Sequence, residues 1–191
     1  MRIEAGDLLG DLEGLGLFDF IYCQEVLHHT ADPAKAFDNL ASRLAPGGEI
    51  AIYVYKHKAP VREFTDEFLR EKFARHSYEE AMDVARALAD IGRQLHDVGG
   101  TISTRAIDML GIPAGTHSVQ RFFYHYFMKC FWNVELSPEE NAAIIYDWFH
   151  PQIASKHSVS EVHEWYARAG LNVIHQCVDE YGITMRGCRP A

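Results

Sequence analysis

The stretch Phe18-Asp19-Phe20-Ile21-Tyr22-Cys23-Gln24-Glu25-Val26-Leu27-His28-His29-Thr30-Ala31-Asp32-Pro33 decides how this chain is read. From Phe18 to Cys23 every residue except Asp19 is apolar. Such a run suits a strand covered on both faces, in the middle of a sheet. Asp32-Pro33 opens a helix, with Asp32 as N-cap and Pro33 in the first turn, where a missing N–H costs nothing. Phe37, Leu40, Ala41 and Leu44 follow at helical spacing and give the helix one apolar face. Pro46-Gly47-Gly48 stops the helix and turns the chain. Glu49 to Tyr55 then reads as a second strand of β-branched and aromatic residues. Strand, helix and strand form a βαβ unit, so the two strands should be parallel with a right-handed crossover.

Downstream, the stretch 57–150 reads as mostly helical. Ser77 with Glu80, and Ser137 with Glu140, have the spacing of capping boxes. Ala81, Val84, Ala85, Leu88, Ile91 and Leu95 continue a helical period until Gly99-Gly100. Gly111 to Gly115 reads as a loop. Phe122 to Trp132 reads as one helix, apolar nearly all round, that serves as core, as an oligomer face or as a pocket wall. In the stretch 151–191, Ser158 and Glu161 cap a last helix that Gly170 stops. Leu171 to Val178 and Ile183 to Cys188 read as a closing antiparallel hairpin. Residues 1–56 and 151–191 are therefore expected to build one four-stranded sheet. Only its last strand should run against its neighbours. Residues 57–150 form a large insertion.

Composition limits the function classes. The chain has 191 residues, enough for about one domain with an insertion. Its formal net charge is -9, and an acidic chain gains nothing from counterion release on a phosphate backbone. Nucleic acid is therefore not expected as a partner. The most apolar run, Phe122 to Trp132, falls short of the ~20 residues a membrane span needs. Residues 1–7 carry no apolar signal segment. The four cysteines form no C-x-x-C pair, which fits reduced thiols in a cytoplasmic protein.

The segment 18–33, continued through Leu40, Leu44 and Ala45-Pro-Gly-Gly48, resembles the class I S-adenosylmethionine-dependent methyltransferases. It looks like their fourth strand, the following helix, the Pro-Gly-Gly turn and the fifth strand. The closing helix with Trp165-Tyr166-Ala-Arg-Ala-Gly170 and the final hairpin look like the family's last helix and its sixth and seventh strands. The resemblance implies an α/β, Rossmann-like methyltransferase sheet, here partial, from the fourth to the seventh strand. It also implies that the helical insertion covers a substrate. The family's first strand and its Gly-x-Gly loop have no counterpart, because Gly6, Gly10, Gly14 and Gly16 neither follow a strand nor open a helix. A truncated reading of a longer enzyme, or a relative that has lost that half, both account for this.

By the resemblance, Asp7 meets the adenine amino group and the Cys23–Gln24 strand end lies against the methionine part of S-adenosylmethionine. The loop bearing His28 and His29 lies near the reacting centre. One of these two is a candidate general base, since imidazole titrates near neutral pH, with packing as the other reading. Tyr53, Tyr55 and His57 end the second strand on the acceptor side, and Asp147, Trp148 and His150 are candidates to line the same cavity. No metal site is expected: adjacent histidines point apart, and His157 and His163 stand isolated in sequence. Two functions remain. One is methyl transfer to a small-molecule acceptor, with weak or absent binding of S-adenosylmethionine by this chain alone. The other is a non-catalytic interaction module. In either case the apolar edge of Phe18–Cys23 should be covered, by a homodimer partner or by a complementary half.

Overall fold

The computed structural model describes residues 3–191, which divide into two compact units. The first is Met1–His57 with Ile153–Ala191 and the second is Lys58–Gln152. In chain order the elements are β1 (Phe18–Gln24), α1 (Pro33–Ser42), β2 (Leu44–Tyr55), α2 (Pro60–Phe73), α3 (Tyr78–Val98), β3 (Thr101–Thr104), β4 (Gly115–Ser118), α4 (Val119–Tyr126), α5 (Pro138–Phe149), α6 (Val159–Arg168), β5 (Asn172–Val178) and β6 (Gly182–Cys188). Among the described residues, no helix is long and apolar enough to cross a membrane.

The first unit is a sheet with strand order β1-β2-β6-β5. β1 and β2 are parallel, and β6 runs antiparallel to both β2 and β5, as the βαβ pattern and the terminal hairpin require. α1 starts where the sequence says: the Asp32 carboxylate accepts the Lys35 N–H at 3.0 Å. Phe37 of α1 and Val162, Trp165 and Tyr166 of α6 close one core with Ile50, Ile52, Val54, Ile183 and Met185 of the sheet. The Arg168 guanidinium on α6 holds the Asp38 carboxylate on α1 at 3.0 Å.

Two expectations about this unit are corrected. Pro46-Gly47-Gly48 does not precede the second strand; it lies within β2 as a bulge. Phe18 pairs with Leu44, but Phe20 already pairs with Glu49. The extra residues are absorbed at Gly47, whose φ of +74° favours glycine, and at Gly48, where a Cβ would sit 2.9 Å from the Phe18 carbonyl oxygen. β1 is also not covered on both faces. It stands at the end of the sheet, with Phe18, Phe20 and Tyr22 exposed by 41%, 52% and 64%. Alternation puts those three side chains on one face, while Ile21 and Cys23 turn to the helices.

The second unit is helical, with one short β3–β4 hairpin in a stretch expected to be mostly helical apart from the loop at Gly111 to Gly115. The boxes at Ser77/Glu80 and Ser137/Glu140 both form and open α3 and α5. The helix expected over 122–132 is corrected: α4 ends at Tyr126. Beyond it the chain runs along α3, and the Cys130 carbonyl oxygen comes within 2.6 Å of where a Cβ on Gly92 would stand. The Gln120 amide donates to that same carbonyl at 2.8 Å. The Gln120 amide receives the Cys130 carbonyl, which would have no partner within the last turn of such a helix, and the open flank of Gly92 makes room for it.

Candidate active site at the carboxyl ends of the sheet

Ligands of open α/β sheets gather at the carboxyl ends of the strands. In the first unit that end is built from three segments. β1 leads into Glu25, the one described non-glycine residue with positive φ, at 59°. Left-handed backbone costs a non-glycine residue roughly 1–2 kcal/mol, and such strain collects at functional sites. The chain then makes a tight turn over Leu27–His29, with Leu27 sealed in the core. His28 is fully buried and stacks on Tyr55 at the end of β2, with centroids 3.7 Å apart and planes 26° off parallel. His29 meets Tyr55 edge-on at 5.7 Å and stands 4.3 Å from the His28 ring. The Glu25 carboxylate lies 3.8 Å from His28 Nε2.

The third segment enters α6. The Ser155 N–H donates to the His28 carbonyl at 2.8 Å, and the Ser155 hydroxyl does so at 3.2 Å. The same hydroxyl lies 3.0 Å from His157 Nε2. The His157 N–H donates to the Tyr55 carbonyl at 2.9 Å, and its ring meets Trp165 at 4.8 Å. His29 Nδ1 lies 2.7 Å from the Ile153 carbonyl oxygen. A carbonyl only accepts, so Nδ1 carries the hydrogen and, in the neutral ring, Nε2 keeps the lone pair. This orientation is the one a general base needs.

His157 has its pKa pushed down by burial, against an upward pull from Glu161, while His57 adds a smaller downward push. The folded state therefore binds fewer protons there than the unfolded chain does. The stability this histidine supports is full above its unfolded pKa of about 6.5 and is lost as pH falls toward the folded value. Urea unfolding of wild type and His157→Gln between pH 5 and 8 checks this. The wild type should lose stability toward pH 5 more steeply than the variant, and parallel curves would contradict it.

Of the residues expected from sequence, the structure brings His28, His29 and Tyr55 together. Cys23 and Gln24 end β1 beside them, with the Cys23 thiol buried and its pKa raised by that burial. Gln24 is exposed and pairs with Tyr53. His57 is exposed one residue past Lys56, which bridges to His157. Asp7 is exposed and shapes its own turn: its carboxylate accepts the Leu9 N–H at 2.9 Å and its carbonyl the Gly10 N–H at 3.0 Å. Trp148 and His150 belong to the second unit and point to different sides of α5. The Trp148 indole donates to Asp66 at 3.0 Å, whereas the exposed His150 stacks on Tyr146 at 4.9 Å. Among the described residues no group of three or more His, Cys, Asp or Glu is arranged to hold a metal ion.

Sequence reasoning missed Glu25, Ser155 and His157. For Ser155 and His157 a topological signal existed. α6 leads into β5, which runs parallel to β1, so the residues entering α6 must lie at the carboxyl ends of the strands. Glu25 carried no signal, since glutamate is not a residue that marks a left-handed turn.

The model of a family described as a methyltransferase domain matches residues 7–176. An uncharacterized protein of Synechococcus sp. is 37% identical over 76 residues, which are 38% of this chain and 18% of that protein. The structure of PKMT2 from Rickettsia typhi superposes with a TM-score of 0.56 at 14% identity, covering 96% of this chain and 37% of that one. The same protein in complex with AdoHcy gives 0.55 at 13% identity, covering 97% and 38%. This chain thus spans less than two fifths of the length of each of these relatives, and at such identities the solved structures speak for the fold alone. With the family model covering most of its length, the chain belongs to the methyltransferase-domain family.

Proposed function

We propose that this chain forms the acceptor-side part of an S-adenosylmethionine-dependent methyltransferase that acts on a small molecule. The carrying observation is His29, oriented by the Ile153 carbonyl with Nε2 free to take a proton, at the carboxyl end of β1. S-adenosylmethionine supplies an electrophilic methyl group for an in-line displacement. The acceptor must lose a proton as it gains the methyl, and His29 Nε2 is the atom that receives it. His28 and Tyr55 hold His29 by ring contacts, and Ser155 fixes the loop through the His28 carbonyl. The Cys23–Gln24 strand end offers the donor a wall. It offers no glycine-rich cradle, and the Asp7 carboxylate is already bound to the Leu9 N–H. The donor's main grip therefore lies outside these residues, and the chain alone binds it weakly or not at all.

The second reading, a non-catalytic interaction module, draws on the exposed apolar face of β1 and its place at the sheet edge. On either reading that edge takes another strand, from a second copy or from a complementary segment. One experiment separates the two. Labelled methyl transfer from S-adenosylmethionine by the intact protein is measured on a panel of small phenols, amines and carboxylates. Transfer should occur, and His29→Ala should lower kcat about 100-fold or more with the KM for the donor unchanged. Transfer that survives His29→Ala undiminished removes the base, and no transfer to any class leaves the interaction module.

A further inference from the structure

In the second unit a lysine is buried without a counter-charge. Lys129, just past α4, is 6% exposed, and its Nζ stands 4.1 Å from the centre of the Trp148 ring. The surroundings are fixed. The Trp148 indole N–H donates to Asp66 Oδ2 at 3.0 Å, and its carbonyl accepts from Arg70 Nη1 at 2.9 Å. The other Asp66 oxygen accepts from Arg62 Nε at 2.8 Å, with both side chains buried. Arg62 also donates to the Tyr124 carbonyl and lies 4.9 Å from the centre of the Tyr124 ring. Both Asp66 oxygens are thus committed. The Lys129 ammonium has no hydrogen bond and no carboxylate partner in ion-pair range among the described residues.

The charge count is direct. Arg62 and Asp66 cancel. Lys58, 5.8 Å from the same indole, and the exposed Asp147 oppose each other more weakly. Among the groups that act on Lys129, one positive charge remains, its own; Arg70 is turned to the Trp148 and Pro151 carbonyls and is not one of them. Burial, then Arg62 and Lys58, push its pKa down to about 7, against Asp66 and Asp147. A buried cation without a partner costs several kcal/mol, so it either sheds its proton or pairs with an anion.

We propose that Lys129, backed by Arg62 against the Trp148 and Tyr124 rings, is a binding site for a small organic monocarboxylate. A single surplus charge suits a monoanion rather than phosphate, and the aromatic walls suit an apolar body behind the carboxylate. The inference does not depend on methyl transfer, since it concerns binding to the second unit alone.

The test uses benzoate as probe and inorganic phosphate as the contrasting anion, with the full chain labelled at lysine 13Cε. Without carboxylate the Lys129 resonance should titrate near neutrality, and saturating benzoate should raise that midpoint by at least one pH unit. Because benzoate binds the charged form, its affinity should fall about tenfold per pH unit above the free midpoint. Lys129→Met should weaken benzoate at least tenfold. Lys129→Arg should restore it and flatten the pH dependence, since a guanidinium stays charged. A Lys129 resonance unmoved by saturating benzoate overturns the proposal in the wild-type protein, whatever the variants do. Unchanged affinity in Lys129→Met, or tighter binding of phosphate than of benzoate, also overturns it.

Discussion

Asp66→Ala is expected to destabilise the second unit by about 3–5 kcal/mol, the cost of removing one member of a buried ion pair. The carboxylate is fully buried and holds the Arg62 guanidinium on one oxygen and the Trp148 indole on the other. Without it, the buried Arg62 keeps its bond to the Tyr124 carbonyl but loses its carboxylate. Lys129 loses the stronger-acting of the two carboxylates that oppose Arg62 and Lys58. The loss should fall on α2 and α5, which Asp66 and Trp148 tie together. Urea unfolding followed by tryptophan fluorescence measures it, with Asp66→Asn as comparison because the amide oxygen still accepts one bond. A loss below about 1 kcal/mol for Asp66→Ala would mean that the cluster is solvated in solution and behaves as a surface pair.

Gly187→Val should cost the first unit about 3 kcal/mol, at the upper end of overpacking effects. A Cβ at Gly187 would stand 2.5 Å from Cδ1 of Tyr166, closer than packed atoms approach. The ring has nowhere to go. It is buried against Phe37 at 4.8 Å, and its hydroxyl donates to the Met185 carbonyl at 2.8 Å. Relief requires α6 to lift from the sheet or that bond to break. Gly187→Val combined with Tyr166→Ala should cost less than the sum of the two changes, since the second makes room for the first. Strict additivity would show that the sheet yields elsewhere and that Tyr166 does not set the spacing of α6.

The sequence alone determined the local elements and the order in which the sheet is laid down. Asp32-Pro33 and the Ser–Glu pairs at 77/80, 137/140 and 158/161 mark helix starts through bonds among neighbours three residues apart, so spacing suffices to read them. The βαβ run and the closing hairpin fix strand direction because crossover handedness and tight turns leave few alternatives. His28, His29 and Tyr55 were legible on one side of the sheet because Tyr55 ends β2 and the resemblance puts the loop after β1, which bears the two histidines, at the same end. Only the tertiary structure decided the rest. The aromatic run leaves its helix after Tyr126 and sets the Cys130 carbonyl against Gln120 and Gly92, contacts that no local spacing encodes. His157 joins His28 across a sequence gap of more than a hundred residues through the Ser155 hydroxyl, and no spacing encodes such a contact. Lys129 reads in sequence as an ordinary charge among aromatics. Its isolation arises because Arg62 and Trp148 take both oxygens of Asp66, and hydrogen-bond valence is spent in three dimensions, not along the chain.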